Sequence, residues 1–180
     1  MEYFRRQPNL KPYFANSYGF ALFESIAKGG MGIGGAYGEG EVYILKQQGN
    51  EHELVGKSTM AQLSVGFQFG GQVYSEIIFF ETERDFKHFT SDNFEFGAHA
   101  NVVALTASAG TSASTMGNQG ITAGLNANDV ILEQKELDKL YTKGMAIFTI
   151  TRGGLMYEAT VKGQRFNFKP LDGSNPAETK

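Results

Sequence analysis

Apolar and polar residues along this chain alternate mostly with a period of two, in short runs that end at glycine, the pattern of pleated strands joined by turns. Residues 61–70 (AQLSVGFQFG) put Leu63, Val65, Phe67 and Phe69 on one face and Gln62, Ser64, Gly66 and Gln68 on the other, which predicts a half-buried strand. The next run, Ile77, Ile78, Phe79 and Phe80, is apolar at every position and predicts a central strand covered on both faces. Residues 19–26 and 42–45 are further β-compatible runs. Between them seven of the twelve positions 29–40 are glycine, which predicts strands with tight turns, bulges or close backbone approach.

A helical period surfaces once with a start signal. Thr82, with Asp85 three residues later, reads as an N-terminal cap, and Phe86 and Phe89 then share one face of a short helix over 83–89. Residues 94–108 return to strand character. The Ser, Thr, Ala, Gly and Asn tract over 106–127 has no periodicity and reads as a long polar hairpin loop, and 129–141 as a strand passing into a helical turn. Residues 145–150, 155–161 and 164–168 read as a three-strand meander with turns at Gly153-Gly154 and Lys162-Gly163. The expected fold is mainly β: one compact, glycine-rich antiparallel sandwich or barrel-like domain with one or two short helices and a helical or irregular N-terminal segment.

Composition narrows the function. A length of 180 residues suits one domain with its own core. The 16 Lys and Arg against 19 Asp and Glu give a net charge of -3, so the overall field attracts neither nucleic acid nor an anionic membrane, and any anion binding must come from a local patch. With no Cys there are no disulfides, thiolate metal sites or thiol nucleophiles. No apolar run approaches the roughly 18 residues of a spanning helix, and residues 1–10 lack the apolar core of a signal peptide.

Three patterns point toward enzymes and each has a structural explanation. Gly30-Met31-Gly32-Ile33-Gly34-Gly35 matches G-x-G-x-x-G, but it runs on into Gly38, Gly40 and a strand, where a pyrophosphate site needs a helix N-terminus. Ser25-Ile26-Ala27-Lys28 is an S-x-x-K and Ser91-Asp92-Asn93 an S-D-N, two of three marks of penicillin-recognising acyl enzymes. The third, K-T-G, is absent, and Gly29-Gly30 ends any helix that would bring Lys28 to Ser25. A Ser25/Lys28 acyl-serine hydrolase therefore stays a remote alternative. His52, His88 and His99 lie in separate segments with no ligand-pair spacing, so neither a metal nor a cofactor is expected.

Several motifs in order carry a resemblance. Ser17-Tyr18-Gly19-Phe20-Ala21-Leu22-Phe23 opens it, followed by the block from Lys28-Gly29-Gly30 through Gly40, then Val65-Gly66-Phe67-Gln68 with Gly70-Gly71-Gln72-Val73-Tyr74-Ser75. Phe94-Glu95-Phe96-Gly97, Lys143-Gly144 and Arg152-Gly153-Gly154-Leu155 complete it. Together they resemble the SYLF domain, a lipid-binding family of bacteria and of eukaryotic proteins that link phosphoinositide membranes to actin.

The resemblance implies an N-terminal segment over 1–14, a SYLF-like domain over 15–169 and a flexible polar tail over 170–180. It implies a non-enzymatic, membrane-associating activity toward anionic phospholipid or phosphoinositide. In the family an amphipathic N-terminal helix and nearby basic residues meet the membrane, and here that stretch carries Arg5, Arg6 and Lys11 among Tyr3, Phe4, Leu10, Tyr13 and Phe14, interrupted by Pro8 and Pro12. Arg5, Arg6, Lys11 and Lys28 are the expected headgroup contacts, with the aromatics either meeting the interface or closing one end of the fold. Bacterial relatives are made with a signal peptide, which implies an exported, periplasmic or envelope-associated protein read in mature form, the alternative being a cytoplasmic one. An exported bacterial protein would meet no actin. The rival of another class is a protein-interaction or envelope structural module that does not use lipid.

Overall fold

The computed structural model describes residues 1–46, 51–91, 94–96, 102–105, 111–115, 122–126 and 141–171. Three long antiparallel strands carry the fold, β1 (Gly19–Leu45), β2 (His52–Phe80) and β7 (Met145–Pro170), with β2 in the middle. On the far side of β7, β3 (Phe94–Phe96) pairs antiparallel near Phe166. There too β4 (Val102–Leu105) pairs parallel along Ile147 to Ile150, and β5 (Thr111–Thr115) and β6 (Thr122–Asn126) extend the sheet from β4. The mainly antiparallel β class is as expected, and the sheet is open rather than closed into a barrel.

The sandwich comes from one sheet folding over on itself. The amide of Leu45 at the end of β1 donates to the carbonyl of Tyr18 just before its start, 3.0 Å away. A Cβ added at Gly40 would lie 2.6 Å from the Leu22 carbonyl oxygen and 2.6 Å from the Phe23 ring, so glycine is what lets the two halves of β1 touch. The core between the halves accordingly joins Phe23, Ile78 and Phe80 from one side to Val42, Met60 and Phe166 from the other. The bend falls at residues 29–35 of β1, where a register shift lies between Met31 and Ile33 and Gly32 takes φ +74. The glycine block therefore supplies a bulge and close approach inside one continuous strand.

The same bend corrects the expected meander. Gly153, Gly154 and Gly163 lie within β7, opposite Val73, Gln72 and Leu63 of β2, and reverse nothing. Glycines that read as turns along one strand are here places where a strongly coiled ladder bends as a unit. The expected loop over 106–127 contains β5 and β6. Residues 129–140 and the tail from 172 lie outside the described residues.

Helices cover what the folded sheet leaves open. At the N-terminus α1 (Glu2–Arg5), a 3-10 turn (Pro8–Leu10) and α2 (Lys11–Asn16) lay Phe4, Leu10 and Tyr13 on the outer face of the first half of the sheet. They meet Phe20, Leu22, Ile77, Phe79 and Phe148 there. Pro8 and Pro12 sit in the first turns of their helices, where the missing N–H costs nothing. On the inner face α3 (Glu83–Thr90) starts where Thr82 accepts from the Asp85 amide, and it buries Phe86 and Phe89 as expected. Ile77 to Phe80, covered on both sides, are each 0% exposed.

Candidate functional site

The four basic residues singled out in the sequence do not form one site. Arg6 and Lys11 are exposed on the N-terminal layer, and Arg6 pairs with Glu2 one helical turn away. Such an exposed pair is worth about 0–1 kcal/mol and leaves the guanidinium available to other anions. Arg5 is half-buried, with its Nη2 3.0 Å from His52 Nδ1 and its guanidinium over the Phe14 ring. Lys28 is only 6% exposed, on the inner face of β1, and is engaged there, so it is an interior cation and not a surface one.

The enzyme patterns dissolve on the same strand. Ser25 and Lys28 belong to β1 rather than to a helix, with Ser25 exposed and Lys28 buried, so the lysine does not stand one turn above the serine. The Gly30 to Gly35 stretch is strand on both sides and meets no helix N-terminus. Asp92 and Asn93 lie outside the described residues, as does His99. The His52 ring packs tilted against Phe20 and edge-on to Tyr43, and the His88 ring edge-on to Phe94. Among the described residues no cluster of His, Asp and Glu could hold a metal ion.

Two surface features do stand out. At the N-terminal layer Tyr3 is exposed, and the guanidinium of Arg152 lies 5.6 Å from its ring centroid while donating to the Glu24 carbonyl at 3.0 Å. Arg152 is far from Tyr3 along the chain, and no local sequence pattern marks it as a partner of the N-terminal segment. The fold brings it to the start of the bend, next to Gly153, which pairs with Val73.

The bend itself reverses the usual polarity of a sheet. The expected strand over 61–70 exists within β2, but Gln62 and Ser64 are its buried residues while Leu63, Val65 and Phe69 are exposed. The register sets Met31 opposite Phe69, Ile33 opposite Val65 and Gly35 opposite Leu63, with Ala27 opposite Val73 at one end and Tyr37 opposite Ala61 at the other. Met31 is 77% and Phe69 61% exposed. Leu155, Tyr157, Ala159 and Val161 hold the matching register positions on β7. Inside, Gln164 donates to Gln62 Oε1 at 3.3 Å and to Glu76 Oε2 at 3.2 Å. The alternation fixes which residues share a face, and the fold decides which face points out.

Tyr37 closes one end of this apolar face, its phenol donating to Glu39 at 3.2 Å. That hydrogen bond raises the Tyr37 pKa above its usual value and keeps the phenol a donor. Charge resumes at this row and beyond it, at Arg165 opposite Ala61 and then at Glu39, Glu41 and Lys57.

Residues 61–169, which run from Ala61 of β2 through nearly all of β7, match the model of the Ysc84 family, described as Las17-binding protein actin regulator. The chain belongs to the SYLF family. A curated relative, Beta cell expansion factor A of Aeromonas veronii, is 28% identical over 163 residues, covering 91% of this chain and 50% of that protein. The chain thus spans about half the length of the curated relative it matches. The SYLF domain is not known as an enzyme.

Proposed function

We propose that this SYLF domain is a non-enzymatic, membrane-associating module that takes anionic phospholipid headgroups at its N-terminal layer. The observation that carries this is the exposed cation and aromatic group there: Arg6 and Lys11 on the helices, and Arg152 against exposed Tyr3. Arg152 takes the place that Lys28 was expected to fill. Each exposed basic residue near an anionic surface contributes about 1 kcal/mol, so three give weak, salt-sensitive binding. Family membership supports the reading, and the burial of Phe4, Leu10 and Tyr13 in the core means that the N-terminal helices keep their apolar face on the protein.

Co-sedimentation with phosphatidylcholine, phosphatidylglycerol-rich and phosphoinositide-containing vesicles tests it, each at low salt and at about 0.5 M, where screening shortens to a few ångströms. The expected result is binding to anionic vesicles that weakens in Arg6→Glu/Lys11→Glu/Arg152→Glu. Absence of binding to every vesicle, with one stoichiometric protein partner recovered instead, would make the domain an interaction module.

A further inference from the structure

The basic layer adjoins the bend, and the bend carries a surface that headgroup binding does not use. Met31, Ile33, Leu63, Val65, Phe69 and Val73 are exposed along β1 and β2, at positions that share a face with Ala27, Gly29, Gly35 and Gly71. Together they present apolar surface on the order of 600 Å², at the top of the range for the largest patch on a monomer.

Shape and chemistry narrow the occupant. The two halves of the sheet pack face to face on the inside, so the outside of the bend is convex. Two copies of a convex ridge meet along a line, so little of the patch on either copy is covered by the other. A specific protein partner would also expect about one hydrogen bond per 100–200 Å², and no side chain of the six can make one. A fluid apolar phase needs neither matching shape nor hydrogen bonds. The margins agree, since Tyr3 with Arg152 lies at one end and Tyr37 with Glu39 at the other, tyrosine between apolar surface and charge as at a bilayer interface.

We infer that this convex belt enters the hydrocarbon of a lipid leaflet, with the basic N-terminal layer at headgroup level. The inference rests on the membrane-associating function proposed above and adds the inserting surface. Binding then has two components, one electrostatic and screened by salt, the other apolar and persistent.

The chain has no Trp, so a single introduced indole is a clean reporter. Phe69→Trp places it in the belt, Met31→Trp is a second belt variant should the first not fold, and Glu39→Trp places it beyond the margin. Each folded variant is mixed with phosphatidylcholine/phosphatidylglycerol vesicles containing phosphatidylcholine brominated along the acyl chain. The expected result is a blue shift and loss of most of the emission for the belt variants, retained in about 0.5 M salt, with little change for Glu39→Trp. Phe69→Ser in the same assay should partition about tenfold more weakly, the loss expected for one large apolar side chain.

Vesicle binding with a belt indole still in water overturns the inference and leaves the headgroup function standing. No binding to any vesicle overturns both. A blue shift without lipid that grows with protein concentration overturns it in favour of a second copy.

Discussion

Ile77 to Phe80 and Leu63 to Phe69 belong to the same strand, yet the first stretch is sealed on both faces and the second shows its apolar side chains to solvent. The difference lies in what the rest of the chain supplies. Next to Ile77 to Phe80 the folded-over half of the sheet covers one face and the N-terminal helices the other. At the bend no second layer lies outside among the described residues, and the inside holds Lys28, Gln62, Ser64 and Glu76. A hydrophobic stripe marks a shared face, and a covering element makes that face a core.

The comparison breaks most visibly at Phe79, ringed by Tyr13, Phe14 and Phe148. Phe79→Ala should cost about 3–5 kcal/mol in chemical denaturation, from lost transfer free energy and the cavity left behind. If it costs no more than a surface change, the N-terminal helices do not seal that face. Gly40→Ala tests the doubling of the sheet, since its Cβ would meet the Leu22 carbonyl and the Phe23 ring at 2.6 Å; overpacking there should cost about 1–3 kcal/mol by thermal or denaturant melts.

A smaller effect, confined to alkaline pH, sharpens where the covered region ends. Tyr43 stacks on Phe20 and donates to Glu41, and burial first, then that hydrogen bond, raises its pKa far above the ordinary 10.0. With the folded value above the unfolded one, this stabilisation is complete below pH 10 and is lost as pH rises through the folded pKa. Tyr43→Phe should remove that part of the alkaline decline in melting temperature, and an unchanged slope would sink the assignment. The smallest effect is at the bend, where Leu63→Ser should change stability by no more than about 0.5 kcal/mol. A loss comparable to Phe79→Ala would mean that the belt is covered in solution.

Much of the fold is legible in the sequence because its causes are local. Thr82 and Asp85 start α3 through contacts within four residues, and Ile77 to Phe80 read as doubly covered because no position in the run is polar. The long strands read as several short ones because glycine serves both turns and bends, and only a partner strand with glycines in register distinguishes them. The candidate site is less legible. Arg6 and Lys11 are exposed, but Lys28 sits on the inner face of β1, and Arg152 reaches Tyr3 only through the pairing of β7 with β2.

Local chemistry alone thus settled the β class, the capped helix and the pairs of residues that share a face, since pleat and cap depend on near neighbours. It also settled that the chain lacks Cys and any helical spanning run. Which face of the bend is outermost, which lysine is interior and which arginine joins the N-terminal layer were decided by the folding-over of one sheet. Side-chain alternation is symmetric between inside and outside until another layer arrives to break it.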